Sequence, residues 1–180
     1  MCGICGQFRF DGEKVSSKSL DIMMSKLARR GPDSSGKWLH GVIGFGHQRL
    51  SIIDLSNLGS QPMVDEKLGL TLIFNGTIYN YKSLRALLIS HGYRFFSNSD
   101  TEVIIKAYHY WGEGCLERLD GMFAFAIWDT KKKKLFLARD RLGVKPLFYC
   151  NLNNNLLFSS EIKSILQLEE RSEEHTSVTQ

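Results

Sequence analysis

Two cysteines open the chain in the run Met1-Cys2-Gly3-Ile4-Cys5-Gly6. Cys2 has the richer chemistry, because removal of Met1 would put a thiol and a free α-amine on one residue. A thiol attacks as its thiolate, and an α-amine with an ordinary pKa of about 8 can act as its base. The small Cys2 side chain permits removal of Met1, and Gly3 leaves space for a substrate beside the new terminus. With Met1 retained, the amine lies one residue away and that mechanism fails. The Cys2-Gly3-Ile4-Cys5 spacing also suits a redox disulfide or half of a zinc site. No second close pair follows, however, and His47, His91 and His109 lack ligand spacing. Position alone leaves nucleophile, inert core residue and redox or metal pair all open.

The elements that must hold Cys2 are legible as periodicity. The first ten residues read as a strand beginning at Cys2. Leu20, Met23, Met24 and Leu27 recur at helical spacing behind the candidate caps Ser16 and Ser17. Strands are expected around Gly41 to Gly46, Leu70 to Phe74 and Tyr93 to Phe96, with a short helix through Leu84, Leu87 and Leu88 ending near Gly92. Ser99-Asp100-Thr101-Glu102 has capping-box spacing and opens a helix with the buried stripe Val103, Ile104, Ala107, Tyr108 and Trp111. Short strands then follow at Met122 to Trp128, Lys134 to Arg139, Leu147 to Cys150 and Leu156 to Phe158, before a last helix with Ile162, Ile165 and Leu166. Tight turns between strands and helices in separate blocks give an α+β class, with antiparallel sheets rather than a doubly wound one.

Composition narrows the function classes. The 180 residues are 43% hydrophobic and 11% aromatic, enough for one domain with a sizeable core. The start has no secretory pattern and no apolar run is long enough to span a membrane, so a cytoplasmic protein with no membrane partner is expected. The net charge of +4 is scattered apart from Lys131 to Lys134. Those lysines lie between two alternating apolar runs and read as a solvated hairpin turn, so no nucleic-acid partner is expected. Cys115 and Cys150 sit in apolar stretches and read as inert core thiols. From Glu169 the apolar stripe ends; 169–180 reads as a polar tail, disordered or a non-native truncation artefact, after a domain at 1–168.

Several motifs occur in order: Met1 to Gly6, Arg30-Gly31-Pro32-Asp33, Gly46 to Asp54 (GHQRLSIID) and Phe74 to Asn80 (FNGTIYN). Ser99 to Val103, Asp120 to Ala124, Arg139-Asp140-Arg141 with Lys145-Pro146-Leu147, and Ser159 to Lys163 continue the series. Together they resemble the glutaminase domain, a class II glutamine amidotransferase, of the asparagine synthetase family. The resemblance implies an N-terminal nucleophile hydrolase fold, two packed antiparallel sheets flanked by helices. It also implies that Cys2 attacks the side-chain amide of L-glutamine, with no metal.

The same resemblance assigns further roles. Free glutamine is a zwitterion, so its pocket needs a cation for the carboxylate and an anion for the ammonium. Arg49 and Asp100 match those positions; their plainer readings are a surface ion pair and a helix N-terminal charge. Asn75 and Gly76 match the oxyanion hole, through a side-chain amide and a backbone N–H, although Asn-Gly is also a turn signal. Arg30 and Asp33 lie in a supporting loop, structural or catalytic in equal measure, and Arg139 to Leu147 reads as architectural.

Thr77 stands where such relatives usually carry a glutamate that helps bind the substrate ammonium, which shifts that task toward Asp100. Residues 63–65, 68–74 and 108–113 look closest to N-acetylglutaminylglutamine amidotransferases. Family members follow this domain with a synthetase domain that uses ATP and Mg; neither cofactor is expected here, since no phosphate-cradling loop is present. A C-terminal synthetase domain in a longer protein is the expected partner, and a homodimer stays open. The alternative is a catalytically weak or silent interaction domain that keeps the fold.

Overall fold

The computed structural model describes residues 1–50 and 57–169. Ser51 to Asp54 of the Gly46 to Asp54 motif and the tail past Glu169 lie outside the described residues.

Strand β1 (Gly3–Arg9) carries Cys2 at its leading end, and helix α1 (Ser17–Ser25) follows, capped by the Ser16 side chain on Lys18 N–H at 3.2 Å. Hairpin β2 (Ser34–His40) and β3 (Ile43–Arg49) turns at Gly41, whose φ of 56° suits glycine. Strand β4 (Met63–Asp65) leads to β5 (Leu70–Ile78), then helices α2 (Tyr81–Ser90) and α3 (Asp100–Trp111). Strands β6 (Gly121–Asp129), β7 (Lys134–Arg139), β8 (Phe148–Leu152) and β9 (Asn155–Ser159) precede helix α4 (Ile162–Glu169).

The strands form two antiparallel sheets, ordered β2-β3-β1-β9-β8 and β4-β5-β6-β7. Strand alternation builds the layers. Ile4, Ile43, Phe45 and Phe158 from the first sheet meet Ile73, Ala124, Ala126 and Trp128 from the second in one apolar cluster. The opposite face of the first sheet turns Cys5, Cys150 and Leu157 toward Leu20, Met23 and Met24 of α1 and Ile165 of α4. The far face of the second sheet packs Leu72, Phe74 and Phe125 against Leu84, Leu88, Ile104 and Tyr108 of α2 and α3. The result is helices, sheet, sheet, helices, the α+β arrangement that the resemblance implied.

Three local expectations change. Tyr93 to Phe96 is not a strand: Phe96 N–H is taken by the Glu102 carboxylate, at 3.0 Å and 3.1 Å from its two oxygens. That same carboxylate bonds Ser97 N–H and Oγ, both at 2.7 Å, so the capping box does not close on Ser99. Ser99 N–H instead donates to Ser97 Oγ at 3.3 Å. Strands β2 and β4 were not anticipated. Lys131 lies in the β6 to β7 turn and Lys134 begins β7, both as expected.

Candidate active site

A cavity of about 190 Å³ opens where the leading end of β1, the end of β3, the second half of β5 and the start of α3 converge. Cys2, Arg49, Asn75, Gly76, Thr77 and Asp100 line it together with Met1, Gln61, Met122 and Lys145. Arg30 and Asp33 do not line it.

Cys2 is partly exposed and its thiol is held by the main chain of Leu50: Sγ lies 3.3 Å from the Leu50 N–H nitrogen and 3.4 Å from its carbonyl oxygen. Arg30 Nε donates to the Cys2 carbonyl at 3.0 Å, and its guanidinium pairs with Glu161 at 3.4 Å. Asp33 N–H donates to the Arg49 carbonyl at 3.0 Å, tying the loop to β3. Gly31 makes that approach feasible, since a Cβ there would lie 2.3 Å from the Gln48 carbonyl carbon and oxygen. Arg30 and Asp33 thus brace the strands that carry Cys2 and Arg49.

The opposite wall is the outer edge of β5. Pairing with β4 reaches only Leu72. Beyond it, Phe74 N–H donates to Gln61 Oε1 at 2.6 Å, Phe74 O lies 3.2 Å from His47 Nε2, and Ile78 N–H donates to Asp100 Oδ2 at 3.0 Å. A strand's main-chain groups alternate edges, so Gly76 N–H lies on this same edge, between the Phe74 carbonyl and Ile78 N–H. Gly76 also lets β6 approach: a Cβ would meet Met122 O at 2.2 Å. The neighbouring Asn75 is 1% exposed, and its Nδ2 has no hydrogen-bond partner among the described residues, a costly state for a buried donor.

Asp100 sits at the first turn of α3, below the Ser99 cap, whose Oγ accepts from Thr101 N–H at 3.1 Å. Burial pushes its carboxyl above the usual range, against the pull of Ile78 N–H. Arg49 is buried at the end of β3, and Thr77 is half-buried on β5.

Three residues at the site were not singled out from the sequence. His47 and Gln61 are buried hydrogen-bonding partners of β5. Lys145 lies within the segment read as architectural; Asp140 shapes that loop by accepting from Val144 and Lys145 N–H at 2.8 Å and 2.9 Å. Lys145 Nζ nevertheless reaches the cavity, 3.1 Å from Met1 Sδ. Burial, reinforced by the Arg30 cation, lowers its pKa. Only its charge and its place in the Arg139 to Leu147 motif hinted at this.

Cys5 does not share the site. It is fully buried on the α1 side of the sheet, and burial pushes its thiol up to about 12. Cys115 and Cys150 are buried as well. No three His, Cys, Asp or Glu residues cluster as a metal set among the described residues.

Two packed antiparallel sheets flanked by helices are the N-terminal nucleophile hydrolase fold, and here Cys2 stands at the leading end of a central strand. The chain belongs to the glutamine amidotransferase domain family, whose model matches residues 1–179. It is 46% identical over 169 residues to asparagine synthetase [glutamine-hydrolyzing] 3 of Bacillus subtilis, covering 92% of this chain and 27% of that protein. It is 42% identical over 168 residues to the same organism's asparagine synthetase [glutamine-hydrolyzing] 2, covering 92% of this chain and 22% of the relative. The chain therefore spans about a quarter of the length of these curated relatives. Among solved structures, glutamine phosphoribosylpyrophosphate amidotransferase from B. subtilis superposes with a TM-score of 0.77 at 21% identity, over 91% of this chain and 43% of that one. The narrower likeness to N-acetylglutaminylglutamine amidotransferases rests on the sequence motifs alone. No described helix is long and apolar enough to cross a membrane.

Proposed function

We propose that this chain is the glutamine-hydrolysing part of an asparagine synthetase-like amidotransferase. With Met1 removed, the α-amine of Cys2 takes the thiol proton through water, and the thiolate adds to the side-chain amide carbon of L-glutamine. The tetrahedral oxyanion collapses, the amine-borne proton leaves with the nitrogen as ammonia, and a γ-glutamyl thioester remains on Cys2. Water then cleaves the thioester to glutamate and restores the thiol.

One observation carries this reading: Asn75, whose buried Nδ2 has no partner among the described residues, lines the cavity together with Cys2. An unpaired buried donor costs stability in the resting protein and stabilises charge that develops beside it in a transition state. Gly76 N–H, on the edge of β5 that β4 leaves beyond Leu72, is the second donor. Arg49 takes the glutamine carboxylate and Asp100 the ammonium, with Thr77 offering a hydroxyl rather than a second charge. Arg30 and Asp33 support the loop. Met1 borders the cavity where the freed amine would lie, so its removal opens the site as well as creating the base.

Ammonia would pass to a synthetase domain that uses ATP and Mg²⁺ on an acceptor carboxylate, giving asparagine or a dipeptide amide in the cytoplasm, as a monomer or homodimer. The test is covalent. An electrophilic glutamine analogue should add one equivalent to Cys2 in chain that intact mass shows to have lost Met1. Cys2→Ala should abolish both labelling and ammonia release. Normal turnover by Cys2→Ala overturns the mechanism, and Met1-retaining chain that neither binds glutamine nor labels favours a silent domain.

A further inference from the structure

We infer that Gln61 and His47 are positioning residues, which replace a missing strand along β5 so that Asn75 and Gly76 are held rigidly while their donors stay available. The inference rests on the oxyanion reading of Asn75 and Gly76 given above.

The second half of β5 has two needs that conflict. A strand edge left without a neighbour carries unpaired main-chain groups and is loosely held. A full neighbouring strand would hold it but would consume Gly76 N–H in the ladder. Strand β4 ends its pairing at Leu72, and beyond it side chains take over. Gln61 Oε1 accepts from Phe74 N–H at 2.6 Å, and His47 Nε2 meets Phe74 O at 3.2 Å. Both main-chain groups of the residue before Asn75 are therefore fixed. Asp100 fixes Ile78 N–H on the far side. Among the described residues this leaves an opening one residue wide along that edge, at Gly76.

Each of the two side chains also ties β5 to a second element of the fold. His47 is fully buried, and it sits opposite Ile4 in the β1 to β3 ladder, two residues from the nucleophile. The His47 bond thus links the sheet that carries Cys2 to the strand that carries the oxyanion donors. A carbonyl acceptor requires the ring to present Nε2–H, so the neutral ring is the Nε2 tautomer. Gln61 is buried, and its Nε2 lies 3.4 Å from Thr101 Oγ1 in the first turn of α3. One amide thus spans β5 and the helix that supplies Asp100. Neither residue need touch the reacting atoms; each fixes the position of those that do.

The test compares Gln61→Met, His47→Leu and His47→Gln with Asn75→Ala, in chain lacking Met1. Gln61→Met and His47→Leu should lower kcat for glutamine hydrolysis by about tenfold or more, as a slightly displaced donor does. KM should change by less than about threefold, the pattern of an interaction made only in the transition state. Affinity for glutamate γ-semialdehyde, an aldehyde that forms a tetrahedral thiohemiacetal with Cys2, should fall in step with kcat. His47→Gln keeps a donor and should recover most of the loss. A rise in KM at constant kcat, or equal damage from His47→Gln and His47→Leu, overturns the positioning role. If Asn75→Ala is fully active, the oxyanion reading itself fails; if it is inactive while both partners' variants are normal, only the present inference fails. Should a variant not fold, amide hydrogen exchange on the unsubstituted chain decides. Phe74 and Ile78 amides should be protected throughout and Gly76 only once the aldehyde is bound, whereas Gly76 protection without it overturns the proposal.

Discussion

Arg30 Nε donates to the carbonyl oxygen of Cys2 at 3.0 Å, so the peptide group that follows the candidate nucleophile is held by a guanidinium from the loop after α1. The same guanidinium pairs with Glu161, which also holds Lys163 at 2.6 Å. Arg30→Met removes the hydrogen bond while keeping much of the side-chain volume. Glutaminase kcat should drop about tenfold or more, the worth of one hydrogen bond to a charged group. Steady-state assays beside a thermal melt check this; full activity in a folded variant would make Arg30 dispensable.

Thr77 lines the cavity beside Asp100. Thr77→Glu places a second carboxylate where the substrate ammonium is expected. KM for glutamine should fall by roughly tenfold, as one added charge-assisted hydrogen bond would give. Kinetics with glutamine and with an amide lacking the α-amino group separate the effects, because only the former should gain.

Lys106 on α3 forms a buried ion pair with Asp65 at the end of β4 and lies 3.7 Å from Glu102. Lys106→Met leaves both carboxylates without their cation, and breaking one side of a buried pair costs about 3–5 kcal/mol. Urea unfolding should show a loss of that size. Changing Asp65 to Asn in the same background should restore part of it.

His47 is buried and neutral; burial, offset by the Phe74 carbonyl and deepened by Arg49, lowers its pKa to about 4 from an ordinary 6.5. A depressed pKa means the unfolded chain binds the proton first. The His47 contribution is therefore fully present above pH 6.5 and is lost as pH falls toward 4, by up to about 3 kcal/mol. Asp100, with its pKa raised by burial, acts in the opposite sense above its ordinary value of 3.8. Comparing urea stability of the unsubstituted chain and His47→Gln across this window isolates the histidine. Parallel curves would show that His47 is not the titrating group.

Patterns confined to neighbours along the chain were legible. Alternation marked β6 and β7, and Ser16 and Ser99 were recognisable as caps because capping is decided within two residues. Cys2, Arg49, Asn75, Gly76, Thr77 and Asp100 could be nominated through ordered motifs, and the fold places all six around one cavity. What escaped depends on distant partners. Ser34–His40 is largely exposed and has little apolar alternation, so β2 left no signal. Tyr93 to Phe96 is apolar enough to suggest a strand, yet the Glu102 carboxylate supplies the partner that a strand would have provided. Gln61 bonds Phe74 across thirteen positions and His47 does so across twenty-seven, and neither spacing has a local signature.

Strand β1 lies between β3 and β9, bonded on both sides. Chain termini ordinarily fray, and proteins tolerate tags and additions there. In this fold the N-terminal segment is woven into the middle of a sheet, and Met1 already borders the cavity. Anything attached ahead of Cys2 therefore starts beside the cavity, although Met1 itself is exposed. On the proposed mechanism, a tag or fusion partner placed ahead of Cys2 has to be cut so that cysteine becomes the first residue.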